Sequence, residues 1–246
     1  VVGPAQPARV PPGTKVFAVG DVHGALEPLD AAIDLILAEA RAGGAAVTAI
    51  FLGDYVDRGP DSRAVVERLA GLADGPVAWR FLAGNHEAAM LAFLDAPEIT
   101  GEWLGHYGGR PTLASYGVSP PPAGVPSRPQ LRGLRDDLAA AVPAHHLRFL
   151  RGLETRVVVG DYVFVHAGLR PGVALEAQDP EDLLNIRDDF LCAPTWHGRR
   201  VVHGHTVSRE PVVLPWRIGI DTGASTTGRL CILVAEEDRV RCVFAP

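Results

Sequence analysis

The chain has 246 residues, 47% of them hydrophobic and 21% charged, with a formal net charge of −6. That length fits one of the larger α/β domains or at most two small ones, and the composition is that of an ordinary globular protein. The acidic balance argues against a dedicated nucleic-acid binder, and no apolar run reaches the roughly 18 residues of a membrane span.

Residues 1–14 are rich in Pro, Ala and Gly and read as a flexible N-terminal segment. They lack the basic start and apolar core of a secretion signal, although a chain opening on Val is compatible with a trimmed leader. Val16 to Gly20 reads as a buried strand. Leu26 to Arg41 carries apolar residues at helical spacing and is stopped by Gly43-Gly44. Val47–Leu52 is the next strand, and Asp61–Ala73 the next helix, with Asp61 or Ser62 as its cap. Val77–Ala83 and Glu87–Leu94 complete a β-α-β-α-β-α run. Strands alternating with helices imply a largely parallel sheet, in which chemistry gathers at the carboxyl ends of the strands.

From about Ile99 the pattern changes. A loop-rich and helical insertion is expected around residues 108–153, within a single domain spanning 15–246. Five of the residues from Ser119 to Pro129 are proline, which excludes a continuous helix or a central strand. Leu131–Leu153 returns to helical spacing, broken at Pro143. The remainder is strand-rich: Thr155–Val159, Tyr162–His166, Arg200–His203, Trp216–Ile220, Arg229–Val234 and Arg239–Phe244. Gly160-Asp161 is a hairpin signal between two of these strands. Cys192, Cys231 and Cys242 are scattered and form no CxxC pair, so neither a zinc ribbon nor a disulfide framework is expected. A reducing, cytoplasmic compartment is the simple reading.

Carboxylates and imidazoles sit at the ends of these strands: Asp21 and His23, Asp54, Asn85 and His86, His166 and His205. Glycines flank nearly all of them, letting the backbone turn sharply and approach an ion closely. Oxygen and imidazole donors without thiolate suit borderline-hard divalent ions such as Mn, Fe or Zn. Six such ligands with one bridging carboxylate are enough for two metals, the arrangement that clamps a phosphoryl displacement. By contrast His106, His145, His146 and His197 have no motif around them and read as surface or structural. Trp103 and Tyr107 read as a helix's core face.

Gly20-Asp-Val-His-Gly24, Gly53-Asp-Tyr-Val-Asp-Arg-Gly-Pro60, Gly84-Asn-His-Glu87, His166-Ala-Gly168 and His203-Gly-His205 resemble the calcineurin-like metallophosphoesterases. More narrowly they resemble the small bacterial phosphoprotein phosphatases. The resemblance implies a four-layer α-β-β-α sandwich of two mixed sheets. It further implies a first metal on Asp21, His23 and Asp54, with Asp54 bridging to a second held by Asn85, His166 and His205. His86 corresponds to the general acid, Asp57 to the carboxylate that orients it, and Arg58 to a phosphate-gripping arginine. Arg187, in Asn185-Ile-Arg-Asp-Asp189, corresponds to a second such arginine. The cofactors expected are two divalent ions, manganese first, with iron or zinc as alternatives.

The expected reaction is in-line attack by a metal-bridging hydroxide on a serine or threonine phosphate, with His86 protonating the departing alkoxide. The substrate is expected to be a phosphorylated protein or peptide, or a small phosphoester. No nucleic acid, membrane or regulatory subunit is implied. Symmetrical diadenosine tetraphosphate hydrolysis is the rival activity. Those relatives typically lack an aspartate at the position of Asp57 and end the third motif in Asp, where this chain has Glu87. A non-catalytic scaffold is disfavoured because all six ligands and His86 are present. Asp221-Thr-Gly-Ala-Ser225 matches the aspartic-protease loop, but that chemistry needs two carboxylates sharing a proton. A turn near the metal pocket is the better account. The insertion is expected to form part of the pocket rim.

Overall fold

A computed structural model describes residues 7–72, 75–119, 124, 126–193 and 198–245. The chain begins β1 (Thr14–Val19), α1 (Leu26–Ala42), β2 (Ala46–Phe51), α2 (Ser62–Ala70), β3 (Val77–Phe81) and α3 (Asn85–Asp95). A helical stretch follows: α4 (Pro97–Thr100), a 3-10 turn at Gly101–Leu104, α5 (Arg110–Ser115), α6 (Arg128–Ala141) and α7 (Ala144–Arg151). Then come β4 (Arg156–Val159), β5 (Tyr162–Val165), a 3-10 turn at Leu175–Ala177, α8 (Pro180–Asn185) and α9 (Asp188–Leu191). The chain closes with β6 (Arg200–His203), β7 (Val212–Val213), β8 (Arg217–Gly219), α10 (Ala224–Thr227), β9 (Cys231–Glu236) and β10 (Arg239–Phe244).

Two five-stranded mixed sheets result. The first has the order β10-β9-β1-β2-β3, with β1, β2 and β3 parallel and the last two strands of the chain antiparallel. The second has the order β4-β5-β6-β8-β7, with β5, β6 and β8 parallel. Alternation along β1 explains why they stack. Val16 and Ala18 face inward, where they meet Tyr162, Phe164, Val202 and Ile218 of the second sheet. Phe17 and Val19 face outward onto Leu29, Ile33 and Ile36 of α1 and Val65 and Leu69 of α2. On the far side, Val163, Val165 and Val201 pack against Leu183 of α8, Phe190 of α9 and Ile186 between them. The layers are therefore helix, sheet, sheet, helix.

Several local readings change. Ser62 does not cap α2: its Oγ lies 3.0 Å from the Asp57 amide, and Asp61 makes no side-chain cap bond. Residues 7–13 are not a loose tail. Ala8 and Val10 are buried between the sheets, the Arg9 amide donates to Asp161 at 2.9 Å, and Val10 N–H donates to the Glu237 carbonyl. The short helices α8 and α9 were absent from the expected elements, although Asp179 caps α8 by accepting the Glu181 amide at 2.9 Å. Helices α6 and α7 flank Pro143 as the broken spacing requires, whereas residues 120–123 and 125 of the proline-rich stretch lie outside the described residues. Among the described residues the three cysteines are free, and no helix is long and apolar enough to cross a membrane.

Candidate metal centre and active site

The carboxyl ends of the parallel strands of both sheets point to one place. Asp21 and His23 follow β1, Asp54 follows β2, Asn85 and His86 open α3 after β3, His166 follows β5 and His205 follows β6. All seven are buried. Asp54 is the hub: His23 Nε2 lies 3.4 Å from one carboxylate oxygen, and His166 Nε2 lies 3.4 Å from the other. Two trios place one donor atom from each residue within 4.8 Å of the others: His23, Asp54 and His86, and Asp54, His166 and His205. The Asn85 side-chain oxygen stands 3.0 Å from both His166 Nε2 and His205 Nδ1. Asp21 belongs to neither trio; its Oδ2 accepts the His205 amide at 3.0 Å.

The backbone is forced into this shape. Among the described residues, five of the six non-glycine residues with positive φ belong to the site: His23, Asp54, Asp57, Arg58 and His205. The left-handed conformation costs an L-residue roughly 1–2 kcal/mol, and such strain persists only where the surroundings fix it. Glu87 provides much of that fixing. Its carboxylate accepts the amides of Gly84, Asp54, Tyr55 and Val56 at 2.9, 2.8, 2.7 and 3.2 Å, tying the end of β3 to the end of β2. Glycine is required at two flanks. A Cβ at Gly204 would collide with Asp21 Oδ1, and one at Gly84 with the Asp54 carboxylate.

The donors fit divalent cations. Asp21 Oδ1, His23 Nε2 and His205 Nε2 are buried without a hydrogen-bond partner, a costly condition that a bound ion would relieve. Burial pushes His23 down to about 4 and His205 down to about 3, so both rings present neutral lone pairs. Burial, then the charges of Asp221 and Asp54, pushes Asp21 well above the usual carboxylate range. A cation there would reverse that shift. Orientation of the rings is also set: His23 Nδ1 lies 2.9 Å from the Val56 carbonyl, and His166 Nδ1 lies 2.8 Å from the Leu52 carbonyl.

Beside this centre stands a separate hydrogen-bonded unit. His86 Nδ1 lies 2.9 Å from Asp57 Oδ2. The same oxygen accepts the Trp103 indole N–H at 2.8 Å, and Oδ1 accepts the Thr112 hydroxyl at 2.6 Å. Burial lowers the His86 pKa, but the charges of Asp54 and Asp57 and the bond to Asp57 outweigh it, and the net shift is upward. Arg58 Nη2 reaches to 3.2 Å from His86 Nε2, on the face toward Asp54. Exposed Arg187 opens α9 and donates to the His205 carbonyl at 3.3 Å.

Sequence reasoning missed three of these residues. Trp103 is a core residue as expected, but its indole N–H also braces Asp57. Tyr107 is not simply a core face: its ring meets His86 edge-on at 5.2 Å, and with Asn85 it lines a groove beside the site. Thr112 carried no signal at all. Asp221 follows β8 and is buried, with Oδ1 accepting the Gly223 amide at 2.9 Å. It is the strand-end turn the sequence favoured over a protease loop. His106 is exposed, and His197 lies outside the described residues.

A model of the calcineurin-like phosphoesterase family matches residues 14–217. Shewanella-like protein phosphatase 2 of Arabidopsis thaliana is 31% identical over 183 residues, 63% of this chain and 46% of the relative. The symmetrical bis(5'-nucleosyl)-tetraphosphatase of Legionella pneumophila (strain Corby) is 34% identical over 90 residues, 37% of this chain and 29% of that one. The chain thus spans less than half the length of these two relatives. An asymmetrical bis(5'-nucleosyl)-tetraphosphatase, PrpE of Oceanobacillus iheyensis, is 27% identical over 223 residues and is covered to 84%. Among solved structures, a putative diadenosine tetraphosphatase superposes with a TM-score of 0.65 at 22% identity, covering 97% of this chain and 99% of the other. At these identities the structural likeness speaks for the fold.

Proposed function

The chain belongs to the calcineurin-like phosphoesterase family, and from that premise we propose that it is a dinuclear phosphomonoesterase acting on phosphoserine and phosphothreonine in proteins or peptides. Asp21, His23 and Asp54 would hold one divalent ion, and Asp54, Asn85, His166 and His205 the other. Manganese suits this oxygen and imidazole set, as do iron and zinc. When bound, the ions supply a nucleophilic water at neutral pH and neutralise charge on the phosphoryl oxygens.

The chain's own residues do the rest. Arg58 and Arg187 grip phosphate oxygens with their planar forks and hold the ester in line. Asp57 accepts from Nδ1 and favours the imidazolium, so His86 would carry its second proton at Nε2 once the Arg58 guanidinium, which lies 3.2 Å from that nitrogen, turns to the phosphate. The braced His86–Asp57 pair is the observation that carries the choice of substrate. A serine alkoxide is a poor leaving group and needs an acid. A nucleoside diphosphate, the leaving group of symmetrical dinucleotide cleavage, departs without one. A groove running from Asn85 past Tyr107 adds support: Glu102 and Glu181 line it, unfavourably for further phosphates and favourably for basic residues beside a phosphoserine.

The similarity to dinucleotide tetraphosphatases keeps their activity as the second reading. A comparison of a phosphopeptide panel with diadenosine tetraphosphate on manganese-loaded enzyme separates the two. The proposal expects kcat/KM to favour phosphopeptides by more than about tenfold, roughly 1.4 kcal/mol in transition-state binding. A preference of that size for the dinucleotide would replace it.

A further inference from the structure

We infer that Glu67, His145 and His146 form a further metal site, apart from the candidate dinuclear centre, that takes a single zinc ion and fastens α2 to α7. Glu67 lies on α2, and the two histidines occupy the first turn of α7. Glu67 Oε2 stands 3.0 Å from His145 Nε2 and 2.8 Å from His146 Nε2, and the three atoms all lie within 4.8 Å of one another. Zinc bonds of about 2.0–2.1 Å in a tetrahedron separate their ligand atoms by roughly 3.3 Å. The separation of the two imidazole nitrogens, within 4.8 Å, must settle to that value, and the carboxylate must withdraw from both. The Glu67 side chain is 59% exposed and has room to do so, and His145, 47% exposed, leaves the fourth position open to water.

His146 is prepared as a ligand. It is fully buried, and its other nitrogen, Nδ1, lies 2.9 Å from the Tyr116 hydroxyl. Metal-binding histidines are commonly oriented by such a bond on the nitrogen that does not face the ion. With Nε2 given to zinc, Nδ1 carries the hydrogen and the Tyr116 oxygen accepts it. Burial pushes the His146 pKa down, which keeps the ring neutral, and the two histidines hold the Glu67 carboxyl below its usual range. Arg63, exposed one turn earlier on α2, is a neighbouring cation that weakens the site without entering it.

The location gives the ion a structural consequence. Ser62, at the start of α2, lies against the Asp57 amide, and Glu67 follows about 7.5 Å further along the helix axis. Zinc at Glu67 would anchor the helix that carries this contact.

The test uses wild-type protein beside His145→Ala and Glu67→Gln, both at solvent-facing positions outside the catalytic machinery. Each is dialysed against micromolar free zinc, and bound metal is counted by elemental analysis. Thermal unfolding with and without zinc is measured in parallel. The inference expects wild type to hold one more zinc per chain than either variant, and to gain a larger rise in Tm. Equal metal content in all three proteins would overturn it and leave the trio as a hydrogen-bonded tie between two helices.

Discussion

The two halves of the candidate active site are finished to different degrees. Around Asp57 the bonds close within the protein: imidazole, indole, hydroxyl and backbone amide all have partners. Around Asp21, His23 and His205, buried donor atoms are left open. The strained backbone is shared by both halves, since Asp57 and Arg58 lie on the acid side and His23 and His205 on the ligand side. The proposed acid is thus held in place by the chain alone, whereas the proposed ligand half has open donors that cations would complete. Each half should therefore fail in its own way.

The largest effect is expected on the acid half. His86→Asn should cost about 10²–10⁴-fold on a phosphoserine peptide, and much less on para-nitrophenyl phosphate, whose leaving group needs little protonation. Equal losses on both substrates would take His86 out of the acid role. Next comes removal of metal. Chelation should lower Tm, and restoring a divalent ion to a hundred times its Kd should return about 2.7 kcal/mol of stability. An unchanged Tm on chelation would mean that the open donors are not metal ligands.

Smaller effects should probe the bracing. Trp103→Phe keeps an aromatic ring in the core but removes one donor to a charged carboxylate, a bond of roughly 1.5–3 kcal/mol. A loss of about tenfold on phosphoserine peptide is expected, with metal content unchanged. A loss of bound metal instead would blur the separation of the two halves. The smallest effect is a shift in pH dependence. The charge of Asp54 and the contact with Asp57 both raise the His86 pKa, and bound cations would neutralise the first of these, leaving Asp57 as the source that holds the proton. Asp57→Asn removes that source and should move the alkaline limb of kcat to lower pH. A limb that stays in place would mean that Asp57 does not set the proton.

Most of the ligand half was legible because each member is a local event: a strand ends, a glycine permits a turn, and a carboxylate or imidazole follows. Asp21, Asp54, Asn85 and His166 are each found that way, and strand order then brings them together. Glu87 was used to tell two branches of the family apart but given no structural role, yet Gly84-x-x-Glu87 carries the spacing at which a third-position glutamate reaches back to a helix's first amides. The acid half was half legible. His86 and Asp57 lie in motifs, but Trp103 and Thr112 meet Asp57 across 46 and 55 residues of chain. Nothing local marks them, since a buried tryptophan reads the same with or without a partner for its N–H. Ala8 and Val10 were lost for a related reason: a proline-rich stretch has no periodicity, and its burial depends on the gap between two sheets.

The central claim is that Asp54 joins two cations in one centre, and electron paramagnetic resonance of the manganese-loaded protein tests it most directly. Wild type should give the broad spectrum of two exchange-coupled ions, and Asp54→Asn should lose that coupling. A wild-type spectrum containing only isolated manganese would contradict the account, whatever activity accompanied it.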